Sequence, residues 1–497
     1  MMNEATRSPS APSVEGTSSS LGEHLEDIYT LSPLQQGMLY HISSAPGSRL
    51  YVDQSVCTLE GALDTEAFQS AWSTVVARHP ALRTAFLWEG LSKPVQVVYR
   101  RAVPVFEELD WRNLSPRVQE AQLQAFLRQD RQKGFDLTTA PLMRLHLIRT
   151  GEREYSLLWT VSHLVVDAWC SSIILDEVIR HYEAHRQGVA LHLDRAPRYR
   201  DYIAWLKTQD LSRAESFWRS YLDGFSKPTA IGQEDMGSAG GGGHRHETGQ
   251  LSELNTAALR RVARQIHLTV NTLVQGAWAL TLGFQAEGLD QETDVVFGAT
   301  VSGRPPELPG ADATVGLFIN TLPQRARIDP RQPLASWLAA LQHQQLEMRQ
   351  FEYTPLSKLQ SWCEVPTGTP LFDTNLVFLN VFDVERQDTG SLRLDGLRHV
   401  GRPHYPLTVN VTPGPRLKVE LIYDVQRLRW RSVRNLIDRF TLLLAGFAAR
   451  PNASVGMILD GVRGTEREKE AEARKKRRDS NTDRLRITRP VAIKLPN

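Results

Sequence analysis

The run Met236-Gly-Ser-Ala-Gly-Gly-Gly-Gly243 interrupts the chain just before its midpoint. Glycine loses more backbone freedom on ordering than any other residue, so five glycines in eight positions read as a flexible linker. What flanks it must fold as two bodies with their own cores. The 497 residues are ample for that, since domains usually run roughly 100–200 residues. The run lacks the Lys-Ser/Thr ending of a phosphate-binding loop, and His244 and His246 beside it are too sparse to hold a metal. The predicted division is an N-terminal lobe with crossover helices over 25–235, a Gly-rich linker or loop over 236–247 and a C-terminal lobe over 248–463.

Both flanks mix strands and amphipathic helices. In the first, Ser32 before Pro33 makes an N-cap and first-turn pair, with Leu34, Met38 and His41 on one helical face. Residues 51–59 read as a strand. Asp64 caps a helix whose apolar stripe is Phe68, Trp72, Val75 and Val76, and Pro80 stops it. Strand 95–99, a helix between Ser115-Pro116 and Gly134, and the alternating strand 142–149 follow. The apolar run Tyr155–Val161 reads as a buried strand that carries Ser162 and His163 to its end. Asp167 comes four residues later, and Ile174, Val178 and Tyr182 mark a helix beyond it. Segments 199–206 and 214–222 read as helices crossing to the second flank.

There, helices are expected over 254–265, 270–284 (capped by Thr269), 333–350 and 430–449, and strands over 294–301, 374–382, 407–411 and 417–423, with 315–325 strand-like. The pattern predicts two related α+β lobes.

Composition narrows the function classes. No run of 18 apolar residues exists, so no membrane span is expected. Residues 1–24, rich in Ser and Pro, carry no apolar core behind a basic start, and read as a disordered lead rather than a secretory signal. Cys57, Cys170 and Cys363 lie far apart without CxxC spacing; neither a disulfide framework nor a metal site is suggested, and a cytoplasmic location fits. The formal charge is +2, but residues 464–497 hold eleven Lys and Arg against six Asp and Glu, leaving −3 on the rest. A mildly acidic body is a poor nucleic-acid binder. The charged tail 464–497 reads as a disordered end or a solvated helix.

Taken alone, His163 and Asp167 are more often core residues than chemistry. Their company changes that. Ser32-Pro-Leu-Gln-Gln-Gly-Met-Leu, Arg78-His-Pro-Ala-Leu-Arg-Thr-Ala-Phe, Ser162-His-Leu-Val-Val-Asp-Ala, Tyr199-Arg-Asp-Tyr-Ile-Ala-Trp, Val315-Gly-Leu-Phe-Ile-Asn-Thr, Phe351-Glu-Tyr-Thr-Pro and Pro370-Leu-Phe-Asp-Thr occur in that order. Over about residues 28–450 the chain resembles the condensation domain of nonribosomal peptide synthetases, and these segments are similar to that family's signatures.

The resemblance implies two chloramphenicol-acetyltransferase-like lobes in a V-shaped pseudo-dimer with a tunnel between them. It implies an amide-forming acyltransferase, with substrates borne on phosphopantetheine arms of donor and acceptor carrier proteins. No tightly bound cofactor or metal is implied, and a monomer is expected. His163 matches the active-site His of the third signature. Asp167 is implied to face away from substrate and pair with an Arg, for which Arg304 is the local candidate. Trp169 and Asn320 are motif positions, weighed as packing before chemistry.

The third signature departs from the family's paired His and its Asp-Gly: Ser162 stands at the first His and Ala168 at the Gly. A Cβ there is costly if the backbone must take a positive φ or approach a substrate closely. Heterocyclisation is excluded because Ser162 is not Asp, and epimerisation domains usually keep both His. Ester formation by the same His, or a degenerate fold that recruits carrier proteins or tailoring enzymes, stay open. No adenylation signature and no carrier-protein Ser motif occurs, so the chain reads as free-standing or excised from a larger synthetase.

Overall fold

The computed structural model describes residues 24–231, 243–284, 291–379, 386–388 and 391–487, apart from positions 46, 48, 367 and 402. The lead, up to residue 23, and most of the glycine run lie outside the described residues. Fifteen strands are seen among the described residues: β1 (Leu25–Thr30), β2 (Val52–Gly61), β3 (Thr84–Leu87), β4 (Val95–Tyr99), β5 (Val105–Asp110), β6 (Met143–Arg149), β7 (Glu154–Ser162), β8 (His244–Gln250), β9 (Thr293–Val301), β10 (Asn320–Ile328), β11 (Thr374–Phe378), β12 (Arg386–Asp388), β13 (Leu392–Val400), β14 (Leu407–Thr412) and β15 (Lys418–Asp424). Two mixed six-stranded sheets, ordered β12-β13-β2-β7-β6-β5 and β10-β9-β11-β14-β15-β8, form the centres of two α+β lobes, and a small β1-β4-β3 sheet flanks the first.

In the first lobe β7 lies between β2 and β6 and is covered on both faces. Leu157, Trp159 and Val161 join the core under the helices Thr65–Arg78 and Ala168–Gln187, while Leu158 joins Val56, Leu123 and Ile148 on the opposite side. Tyr155, Leu157, Trp159 and Val161 alternate with Ser156, Leu158, Thr160 and Ser162, and on that second face the buried Thr160 donates to Asp130 at 2.6 Å. Local signals set the helix ends. Asp64, Asp167 and Thr269 accept N–H bonds from Ala67, Cys170 and Thr272 at 3.0, 3.1 and 3.0 Å, and Gly134 and Gly188 take positive φ at two C-termini.

Several expectations are corrected. The segment 248–463 does not lie wholly in the second lobe: β13 pairs antiparallel with β2, and β12 extends that sheet further. The chain thus returns from the second lobe to complete the first lobe's sheet, covering the edge of β2 that would otherwise be open. The second lobe also begins earlier, because β8 starts at His244 and pairs with β15. The segment 315–319 is not a strand, since its backbone groups bond to side chains of the first lobe rather than to a ladder. Finally, of the two alternatives for the charged tail, residues 464–487 take the helical one, continuing the helix Val455–Ile487. Its Glu, Arg, Lys and Ala are strong helix formers, and Glu466 pairs with Arg439 at 2.9 Å. Among the described residues no helix is long and apolar enough to cross a membrane.

Candidate active site

His163 lies just past the end of β7. Its N–H donates to the Tyr51 carbonyl at 2.8 Å, and Nδ1 lies 2.6 Å from the Val166 carbonyl. A carbonyl only accepts, so Nδ1 carries the hydrogen and the neutral ring keeps its lone pair on Nε2. Nε2 has no hydrogen-bond partner among the described residues, and the side chain is 20% exposed. The ring is therefore held by one nitrogen and free to take a proton at the other. Asp53, near the start of β2, brings Oδ2 to 3.4 Å from Nδ1.

Tyr51 is a bulky residue at φ 59, a left-handed backbone that costs on the order of 1–3 kcal/mol and needs outside support. The support is burial of the ring and a 2.9 Å bond between the phenol and His404 Nδ1. Burial, with His41 stacked 4.8 Å away, pushes His404 down to about 4, so that ring is neutral at pH 7.

Asp167 turns away from His163. Its carboxylate caps the helix Ala168–Gln187, accepts from Arg304 Nη2 at 3.2 and 3.4 Å and takes the Phe318 N–H at 3.1 Å. The Asp167 side chain is fully buried and that of Arg304 is 6% exposed. Arg304 also donates to the carbonyls of Thr314, at 2.8 Å, and Ala311, and stands 4.3 Å over the Phe318 ring. Because Asp167 follows β7 and Arg304 follows β9, the pair ties the first lobe to the second.

Other signature segments converge on the same knot. Tyr199 packs against Gly316, where any Cβ would collide with its ring, and donates its hydroxyl to Leu317 O at 2.5 Å. Cys170 accepts the Gly316 N–H at 3.3 Å; burial pushes its thiol up to about 12, so it is inert packing. Gly303 has φ +61, and a side chain there would strike the Phe318 carbonyl. Trp169 donates its indole N–H to Asp312 O at 2.8 Å and stacks near Arg304, while Asn320 donates to the carbonyls of Glu352 and Thr354, both at 2.8 Å. Both act as fasteners, consistent with the packing reading.

Among the described residues neither Ser162 nor Ala168 hydrogen-bonds the ring of His163. The Ser162 side chain is buried and accepts the Leu164 N–H at 3.4 Å. Ala168 opens its helix and is not among the positive-φ residues.

The sequence reading passed over Asp53, Tyr51 and Glu352. The first two meet His163 through β2–β7 pairing across about a hundred residues, which no local pattern reveals. Glu352 sits inside a signature segment but carries no mark of burial. It accepts the Gly303 N–H at 3.1 Å, and burial pushes its carboxyl up to about 7. A folded value raised from 4.5 to about 7 means full stability below pH 4.5 and a loss as pH rises through 7, about 3 kcal/mol at about 1.4 kcal/mol per pH unit. Glu352→Gln, which stays neutral and keeps an acceptor for Gly303, should therefore unfold later than wild type in urea at pH 8 and nearly alike at about pH 4. Equal midpoints at pH 8 would refute this.

With this geometry in place, comparison with known proteins identifies the family. Residues 25–460 match the condensation-domain family, and the chain belongs to it. It is similar to two linear gramicidin synthase proteins of Brevibacillus parabrevis, 40% identical over 451 residues to one and 42% identical over 445 residues to the other. These matches cover 88% of this chain but 6% and 8% of those relatives, so the chain spans under a tenth of their length. Among solved structures, the starter condensation domain of rhizomide synthetase superposes with a TM-score of 0.74 at 19% identity, covering 88% of this chain and 98% of that one. The first condensation domain of the calcium-dependent antibiotic synthetase gives 0.74 at 19%, covering 87% and 98%. Both support the two-lobed fold.

Proposed function

We propose that the chain joins a carrier-bound acyl or peptidyl thioester to an amine acceptor, forming an amide in nonribosomal peptide biosynthesis, with His163 as the catalytic residue. The observation that carries this reading is the imidazole itself: Nδ1–H is committed to Val166 O, and the Nε2 lone pair is free. In the reaction the amine nitrogen attacks the thioester carbon and the C–S bond breaks. The amine proton passes to Nε2 and from there to the leaving sulfur. Both substrates arrive on phosphopantetheine arms of donor and acceptor carrier proteins, so the chain itself needs no tightly bound cofactor. Asp167 and Arg304 hold the two lobes in register and take no part in proton transfer.

The test offers an acyl thioester on a carrier protein, with amine or hydroxyl acceptors, to wild type and His163→Ala, and reads products by mass spectrometry. An amide that depends on His163 supports the proposal. Product only from hydroxyl acceptors would make the enzyme ester-forming. Carrier binding without turnover of any acceptor would leave a recruitment surface and overturn catalysis.

A further inference from the structure

Asp53 belongs to none of the signature segments, yet no other carboxylate among the described residues forms an ion pair with His163. Its place follows from strand register. Asp53 stands opposite Val161 in the antiparallel β2–β7 pair, and directly opposed residues share a face. His163 follows β7 directly, in the turn beyond Ser162, and its Nδ1 lies 3.4 Å from Asp53 Oδ2. The left-handed turn at Tyr51 fixes where β2 begins, and its carbonyl holds the His163 N–H. At Gly401, on the segment leaving β13, a Cβ would come within 3.0 Å of Asp53 Oδ1, so the glycine leaves the carboxylate its room.

We propose that Asp53 is a positioning residue for His163 that steadies the ring once Nε2 has taken the proton. This rests on the function proposed above. In the neutral ring the Nδ1 hydrogen is directed at Val166 O, with Asp53 Oδ2 beside it at 3.4 Å. When Nε2 is protonated the ring becomes a cation, and a carboxylate at that distance favours the charged form. The Val166 carbonyl orients the ring but carries no net charge, so the two acceptors do different work. The other titratable groups facing this corner are His399 on β13, bonded through Nδ1 to Ser55 at 2.9 Å, and the Tyr51–His404 pair; Asp167 is turned away to Arg304.

Asp53→Asn keeps the shape and removes the charge. The ring of His163 is titrated by NMR in the substrate-free full chain, its resonances identified by their loss in His163→Ala. Its midpoint should be lower in Asp53→Asn than in wild type, the direction expected when an opposite charge is removed from beside the ring. In the condensation assay kcat should fall about tenfold with KM unchanged, and the melting temperature should not move. An unchanged His163 titration overturns the proposal whether or not turnover is detected. If wild type shows no His163-dependent product, the proposed function fails while the titration still decides Asp53.

Discussion

Asp167→Ala is expected to lower the unfolding free energy by about 3–5 kcal/mol, the range for breaking one side of a buried ion pair. Three losses coincide. Arg304, 6% exposed, is left with two carbonyls and no counter-charge; the Phe318 N–H loses its acceptor; and the helix Ala168–Gln187 loses its N-cap at Cys170. Caps are usually worth about 1 kcal/mol, so the uncompensated Arg is the dominant effect. Arg304→Met in the same background should recover part of the loss, because it removes the stranded charge and keeps an apolar stem against Phe318. The double variant should therefore be more stable than the sum of the two single changes predicts. Urea unfolding of the four proteins checks this. Additive losses would mean that the pair does not couple the lobes.

That knot shows how far the sequence could be read. Caps and stops were legible because each is local: Ser32-Pro33, Asp64, Thr269 and Gly134 act on residues within four positions. β7 was legible because Tyr155, Leu157, Trp159 and Val161 recur at every second position along one buried face. The segment 315–319 looked like a strand for its apolar residues, yet Val315 and Leu317 serve the first lobe's core, and its backbone is satisfied by Cys170, Tyr199 and Asp167. Apolarity reports burial, not the partner of the N–H groups. The return of β13 to β2 and the approach of Asp53 to His163 are matters of register between distant strands, and sequence periodicity sets the parity of a strand but not its neighbour. At the charged tail the alternation of sign suggested solvation, and helix propensity decided the conformation.

His163→Ala should reduce kcat by about 10²–10⁴-fold and no further, the usual contribution of a positioned acid–base group. The bound is physical. An α-amine titrates near roughly 7.7–8.0, so about a tenth is already a free nucleophile at pH 7 without any base. Bringing two tethered reactants together can supply roughly 7–11 kcal/mol, and that gain survives loss of the imidazole. What disappears is the Nε2 lone pair, the proposed acceptor for the proton that the attacking nitrogen must shed, while Asp53 stays in place with nothing left to steady. The residual rate of His163→Ala should then rise with pH through about 8, following the free amine. Wild type and variant rates that coincide across that range would remove His163 from the chemistry and leave orientation as the whole of catalysis.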